Sequence, residues 1–190
     1  MRNPKLLWPA FVLVILAQLL VPGKMVWDKE MVRIAGTEYK FRTAPFDPRD
    51  PFRGKYIDLS YTDTAIEVEN TWLWGPDDVV YLEFSTDPDG FAQIESYSKT
   101  IPTGTRDYLL AHVEYVRGRD SIVEIRYPFD RLYLEESKAE AAEMAYRSAL
   151  QNGDQTTYAR VAIRDGDAVL QDVFIDDVSI REAAANWVED

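Results

Sequence analysis

The chain has no cysteine and only one histidine, His112, among its 190 residues. Without cysteine there is no disulfide staple, no thiol nucleophile and no cysteine-ligated zinc or iron–sulfur site. That fits an extracytoplasmic location without demanding one. With one histidine, no multi-histidine metal site can form, and a Ser-His-Asp arrangement would have to use His112. His112 lies in an alternating run, on the side of Leu110 and Glu114. No G-x-S-x-G elbow accompanies it, so it reads as structural. A Ser-Lys peptidase would place its serine soon after the apolar start; the first serine is Ser60, inside a strand pattern.

Positive charge is also scarce. There are 21 Lys and Arg against 33 Asp and Glu, a net charge of -12. Arg2 and Lys5 are the only charges in the first 23 residues, so the remainder holds 19 bases against 33 acids, net -14. A body this acidic repels phosphate backbones and anionic lipid surfaces, so no nucleic acid partner is expected. No low-complexity linker and no internal repeat occurs. No cofactor or metal is expected.

What is present starts with an apolar run. Leu6 to Val21 reads LLWPAFVLVILAQLLV, sixteen residues with only Gln18 polar. A spanning helix needs about 20 residues. Met25, Val26 and Trp27 extend the run if Lys24 snorkels. Trp8 and Trp27 then stand 19 residues apart, about 28 Å along a helix, with an aromatic at each interface. The competing reading is a cleaved signal peptide, whose only tolerable cleavage site, at Val21-Pro22-Gly23, is spoiled by its proline. The uncleaved anchor is the better reading, with the bilayer contacted through residues 6–27. Pro22-Gly23 is expected to bend its far end. The short tail before the helix favours N-terminus inside and body outside, which in a bacterial cell means inner membrane and periplasm.

Residues 1–34 thus read as the anchor and its helical extension, and 35–190 as one extracytoplasmic domain. Along the domain, TEYKFRT, KYIDLSYT, AIEVENTW, VVYLEFS, FAQIESYS, YLLAHVEYV, SIVEIRY, ARVAIRD and AVLQDVFI all alternate as strands. TDPDG, RGRD and DGD join successive pairs as hairpins. In KYIDLSYT the alternation puts Tyr56, Asp58 and Ser60 on one face and Ile57, Leu59 and Tyr61 on the other. Two capping boxes, Ser137-Lys-Ala-Glu140 and Ser179-Ile-Arg-Glu182, open two helices. The first has only Met144, Tyr146 and Leu150 as large apolar residues. It reads as a weakly docked surface helix, with a partner-binding helix as the rival. The fold class is therefore mainly β, a β-rich α+β body of antiparallel hairpin sheets with two peripheral helices behind one N-terminal transmembrane helix.

Asp87-Pro-Asp89-Gly90 resembles a calcium loop at first sight. In that register Ser96 stands where the bidentate Glu belongs, so the stretch reads as a hairpin turn, and so does Asp165-Gly166-Asp167.

The most unusual stretch is PFDPRDPFRGKY, Pro45 to Tyr56. Its prolines fall every three residues, the period of polyproline II. The same spacing aligns Phe46, Arg49 and Phe52 on one edge and Asp47, Asp50 and Arg53 on another, each about 9 Å from the next. Arg49 between two rings would form cation–π contacts, and Arg53 could pair with Asp50. A pre-ordered rib of this kind suits either a structural belt or a recognition element.

PFDPRDPFRGKYIDLSY resembles the signature of the GDYXXLXY proteins, small bacterial membrane-anchored proteins. Gly54, Tyr56, Leu59 and Tyr61 match the motif of the name, and Lys55 replaces its Asp. VEIRYPFDRLYLEESKAEAAEMAYR and ARVAIRDGDAVLQDVFIDD are similar to later family segments. The resemblance implies a membrane anchor and association with another integral membrane protein. It implies no established activity. The expected role is an accessory or interaction module. Asp47, Arg49, Asp50, Phe52, Arg53, Gly54, Tyr56, Leu59 and Tyr61 form the binding or fold-defining cluster. The rivals are an envelope hydrolase using carboxylates such as Asp47, Asp50 and Asp58, and a ligand-binding or sensing domain.

Overall fold

A computed structural model describes residues 4–45, 56–118, 120–152 and 155–186. It opens on α1, Pro4–Ala35, a helix of 32 residues. The helix runs uninterrupted through Pro22 and Gly23, where a bend is expected from the sequence. Its stretch Phe11–Ala35 is long and apolar enough to cross a membrane. Phe11, Leu13, Leu19, Leu20, Met25 and Val26 are all exposed. Among its described side chains only Val32 is buried.

In chain order the strands are β1 (Thr37–Ala44), β2 (Tyr56–Asp58), β3 (Ser60–Tyr61), β4 (Ala65–Glu67), β5 (Val79–Thr86), β6 (Ala92–Ser98), β7 (Leu109–Arg117), β8 (Ile122–Arg126), β9 (Arg131–Tyr133), β10 (Thr157–Arg164), β11 (Asp167–Ile175) and β12 (Val178–Ser179). A short 3₁₀ turn, Thr71–Leu73, precedes β5. Helix α2 spans Glu136–Asn152 and α3 spans Ile180–Ala185. The first sheet has the order β12-β11-β10-β1-β3, the second β4-β8-β7-β5-β6, and β2 pairs with β9 alone. All strand ladders are antiparallel.

The three hairpins marked by turn residues are present. In the first, the Asp87 carboxylate accepts from the Asp89 and Phe91 amides at 2.9 and 2.8 Å. Gly90 takes a φ of +88°, which its missing Cβ makes cheap. Two strands escape the sequence reading. β9 is three residues long and β12 two, too short to show alternation. KYIDLSYT is also not one strand. It divides at Leu59, with β2 pairing to β9 and β3 pairing to β1.

The two large sheets face each other across an aromatic core. Phe41 is its hub, with ring centroids 5.1 Å from both Phe84 and Phe129, 5.5 Å from Tyr127 and 6.0 Å from Tyr61. Edge-on and tilted pairs of this kind favour the quadrupoles of the rings as well as burying them. β1 supplies Tyr39 and Phe41 inward and Lys40 and Arg42 outward, as strict alternation requires.

Helix α2 corrects the expectation of a weakly docked surface helix. Ala139, Ala142, Ala145, Tyr146 and Ala149 are all buried. They recur at helical spacing and form one stripe. The stripe closes on the core, with α3, β2 and β10 as neighbours. Small side chains let the helix axis come close, so docking does not need large apolar residues. The helix also starts one residue before its apparent capping box. The Glu135 carbonyl accepts from the Lys138 and Ala139 amides at 2.9 and 3.0 Å, which puts Ser137 inside the first turn. The second box holds at its serine: Ser179 Oγ accepts from the Arg181 amide at 3.2 Å and caps α3.

Candidate functional site

The site is built on the stretch where one chain segment changes sheets. Tyr56 sits opposite Tyr133, and Asp58 opposite Arg131. The Tyr56 and Tyr133 rings lie 5.6 Å apart. Arg131 donates from Nε to Asp58 Oδ1 at 3.2 Å, and its guanidinium lies 4.9 Å from the Tyr56 ring centroid. One cation therefore ties an aromatic and a carboxylate of β2 to β9. Leu59 makes the crossing. Its amide donates to the Asp130 carbonyl at 2.8 Å while its side chain is buried. Ser60 and Tyr61 then pair with Ala44 and Thr43 of β1.

Tyr61 points inward. Its hydroxyl donates to the Phe129 carbonyl at 2.8 Å, and Tyr127 donates to the Asp63 carbonyl at 2.5 Å. Burial holds both phenols well above the ordinary tyrosine value, and neighbouring Tyr146, Asp130 and Tyr127 push Tyr61 the same way. These hydroxyls are donors, not acids, near neutral pH. Tyr56, Leu59 and Tyr61 therefore fall into two roles. Tyr56 belongs to a half-exposed Tyr–Arg–Asp surface cluster, while Leu59 and Tyr61 fix the crossing from within.

A cavity of about 180 Å³ opens beside the crossing, lined by Ser60, Tyr61 and Tyr127 with Glu114, Arg126 and Asp130. That is below the roughly 300 Å³ of ordinary ligand pockets and suits a small polar group or a few waters. Asp58 is not among its lining residues; its carboxylate is taken by Arg131. The buried acid among the described residues is Glu124. Arg117 reaches its Oε1 at 2.6 Å and Thr64 its Oε2 at 3.2 Å, so it serves the β7–β8 hairpin. The pattern of strands did not reveal this pair. His112 Nδ1 lies 3.2 Å from the Asp77 carbonyl. Among the described residues no cluster of three or more His, Asp and Glu is placed to hold a metal. Asp47, Arg49, Asp50, Phe52, Arg53 and Gly54 lie outside the described residues.

Fold and site together define a β-rich body behind one N-terminal helix that is long and apolar enough to cross a membrane. Residues 18–173 match the family model described as GDYXXLXY protein. The chain belongs to the GDYXXLXY family. Neither a curated protein nor a solved structure matches it.

Proposed function

We propose that this is an accessory protein that α1 anchors in a bacterial inner membrane, its β body standing on the periplasmic side against another integral membrane protein. The observation that supports this is the absence of slack between helix and body. One residue, Gly36, separates α1 from β1. A Cβ there would come within 2.5 Å of the Val32 carbonyl oxygen and 2.9 Å of that of Ile163. Lys29 Nζ reaches Asp167 Oδ1 at 2.8 Å. Arg164 donates to the Ala35 carbonyl and Gln171 to the Arg33 carbonyl, each at 3.3 Å. A body held this way keeps one height and one orientation over the bilayer. Binding a neighbour in the same membrane then costs little further ordering.

The test inserts a flexible Gly/Ser spacer of about eight residues between Ala35 and Gly36. Co-purification from detergent-solubilised native membranes is compared with the unaltered chain, and the melting temperature of the body checks folding. The reading expects an intact body that loses its membrane partner. An intact body that keeps the same partner would show that the fixed pose recruits nothing. Protease added to spheroplasts should digest the body and spare α1; a body protected until the cells are lysed would place it on the cytoplasmic side.

A further inference from the structure

We propose that the end of the second sheet carrying Trp72, Leu73 and Ile101 is a second membrane contact, seated in the interface of the bilayer that α1 crosses. The inference rests on the anchoring part of the reading above and adds to it a defined lipid-facing surface on the body.

The two sheets run in step. At one end Arg42 of β1 pairs with Asp87 and Asp89 at 3.3 and 3.0 Å. Three residues back along each strand, Tyr39 donates to the Phe84 carbonyl at 3.2 Å. Further back, the β10–β11 turn meets the start of β7. Leu109 bridges Gly166, and the Leu110 amide donates to the Gly166 carbonyl at 2.9 Å. Leu109 itself pairs with Leu82 of β5. That turn is also where α1 arrives, through the Lys29–Asp167 pair and the Arg164–Ala35 hydrogen bond.

From this level the first sheet stops and the second continues. β7 runs on from Leu109 to Arg117, about 26 Å at the usual rise of a strand. Thr71 lies beside Gly118 at its end. The helix from Ala35 back to Trp27 covers about 12 Å. The second sheet is thus long enough to reach the level of Trp27 even where strand and helix are inclined by about 60°.

What that end displays suits an interface. Trp72 is 78% exposed, Ile101 58% and Leu73 50%. Lys99, two residues before Ile101, donates to the Leu73 carbonyl at 2.5 Å and lies 4.3 Å from the Trp74 ring centroid. Tryptophan with a neighbouring lysine is the usual composition of a bilayer interface. The acids Asp77 and Asp78 are matched by Arg126 and Lys99, while Glu69 and Asp120 are exposed at the same end, so the contact suits a zwitterionic interface and not an anionic one.

The absence of cysteine makes the test clean. Asn70→Cys, Pro88→Cys and Leu16→Cys are each labelled with an environment-sensitive fluorophore in the full chain. Each is reconstituted alone into phosphatidylcholine nanodiscs with and without a nitroxide lipid. The label at 70 should be quenched about twofold or more, that at 16 strongly, and that at 88, on the opposite hairpin turn, not at all. Adding Trp72→Ser and Leu73→Ser should abolish quenching at 70 and leave it at 16. No quenching at 70 with strong quenching at 16 overturns the second contact and leaves the anchor standing. No quenching at 16 overturns the anchor and this proposal with it.

Discussion

Helices α1 and α2 reverse the usual relation between side-chain size and burial. α1 is rich in leucine, valine and phenylalanine and leaves them outside: Leu20 is 68% exposed. α2 is rich in alanine and charge, yet Ala142 is 0% exposed. A helix apolar on every side calls for an apolar surrounding, which water is not. A helix with one stripe of alanines calls for a close protein neighbour. Composition therefore reports what surrounds a helix, and the spacing of small residues reports how near it can come. The same contrast separates their chemistry. The body buries several tyrosines, Tyr146 of α2 among them, whereas α1 contains no tyrosine.

The largest effect expected from that difference is alkaline. Burial raises the phenols of Tyr61 and Tyr127 well above the usual value and pushes Tyr146 up to about 12. A folded-state pKa above the unfolded value means the fold holds the proton longer. Its stabilising contribution is complete below about pH 10 and lost as pH rises towards the folded value. Each of these phenols still protonated removes about 1.4 kcal/mol for every pH unit above 10. Together they exhaust an ordinary stability of about 5–15 kcal/mol within a few units. Washing membranes at about pH 11–12 should therefore unfold the body while α1 keeps the chain in the pellet. The chain has eleven tyrosines, some of them exposed, so the last part of the phenolate absorbance should appear together with the loss of the circular dichroism signal. Phenolate absorbance equal to all eleven tyrosines with the sheet signal intact would show that the buried hydroxyls are reachable in the fold.

Leu16→Arg reverses the experiment. A charge at the centre of a spanning helix costs about 2.5–3.5 kcal/mol on insertion scales. The membrane-bound fraction should fall, and the melting temperature of the body should not. Next in size is Ala142→Leu. Three added carbon atoms have no space on the buried stripe, and overpacking of this kind costs about 1–3 kcal/mol. Ala17→Leu, on the exposed surface of α1, should leave the body unchanged. Equal and negligible shifts from both substitutions would mean that α2 is not held as tightly as its burial requires.

The turns were the most legible part of the sequence, because their chemistry is local. Asp87 and Gly90 need nothing beyond their own loop to specify a hairpin. The alternation of Ile57, Leu59 and Tyr61 also reads directly as a buried face, and all three are buried. Partner choice was not legible. β1 pairs with β10, and Phe41 meets Tyr61, Phe84, Tyr127 and Phe129, contacts that alternation cannot assign. The break at Leu59 was hidden because a strand that changes partner keeps its period. Arg131, which joins Tyr56 to Asp58, is placed by a three-residue strand too short to show a pattern. The alanine stripe at positions 139, 142, 145 and 149 is carried by spacing, not by side-chain size, so a count of large apolar residues misses its burial.

The smallest effect separates the ends of a helix from its face. Ser179 and Ser137 open the same motif in sequence. Ser179 caps α3 and also donates to Asp172 Oδ2 at 2.6 Å. Ser137 lies within the first turn of α2, past the point where a side chain can cap. Ser179→Ala should lower the stability of the body by about 1 kcal/mol, the ordinary worth of a cap. Ser137→Ala should change it by less than about 0.5 kcal/mol, as an exposed substitution within a helix does. Urea unfolding of both variants resolves a difference of this size. If Ser137→Ala costs as much as Ser179→Ala, α2 depends on its N-terminus after all, and the alanine stripe is a weaker attachment than its burial indicates.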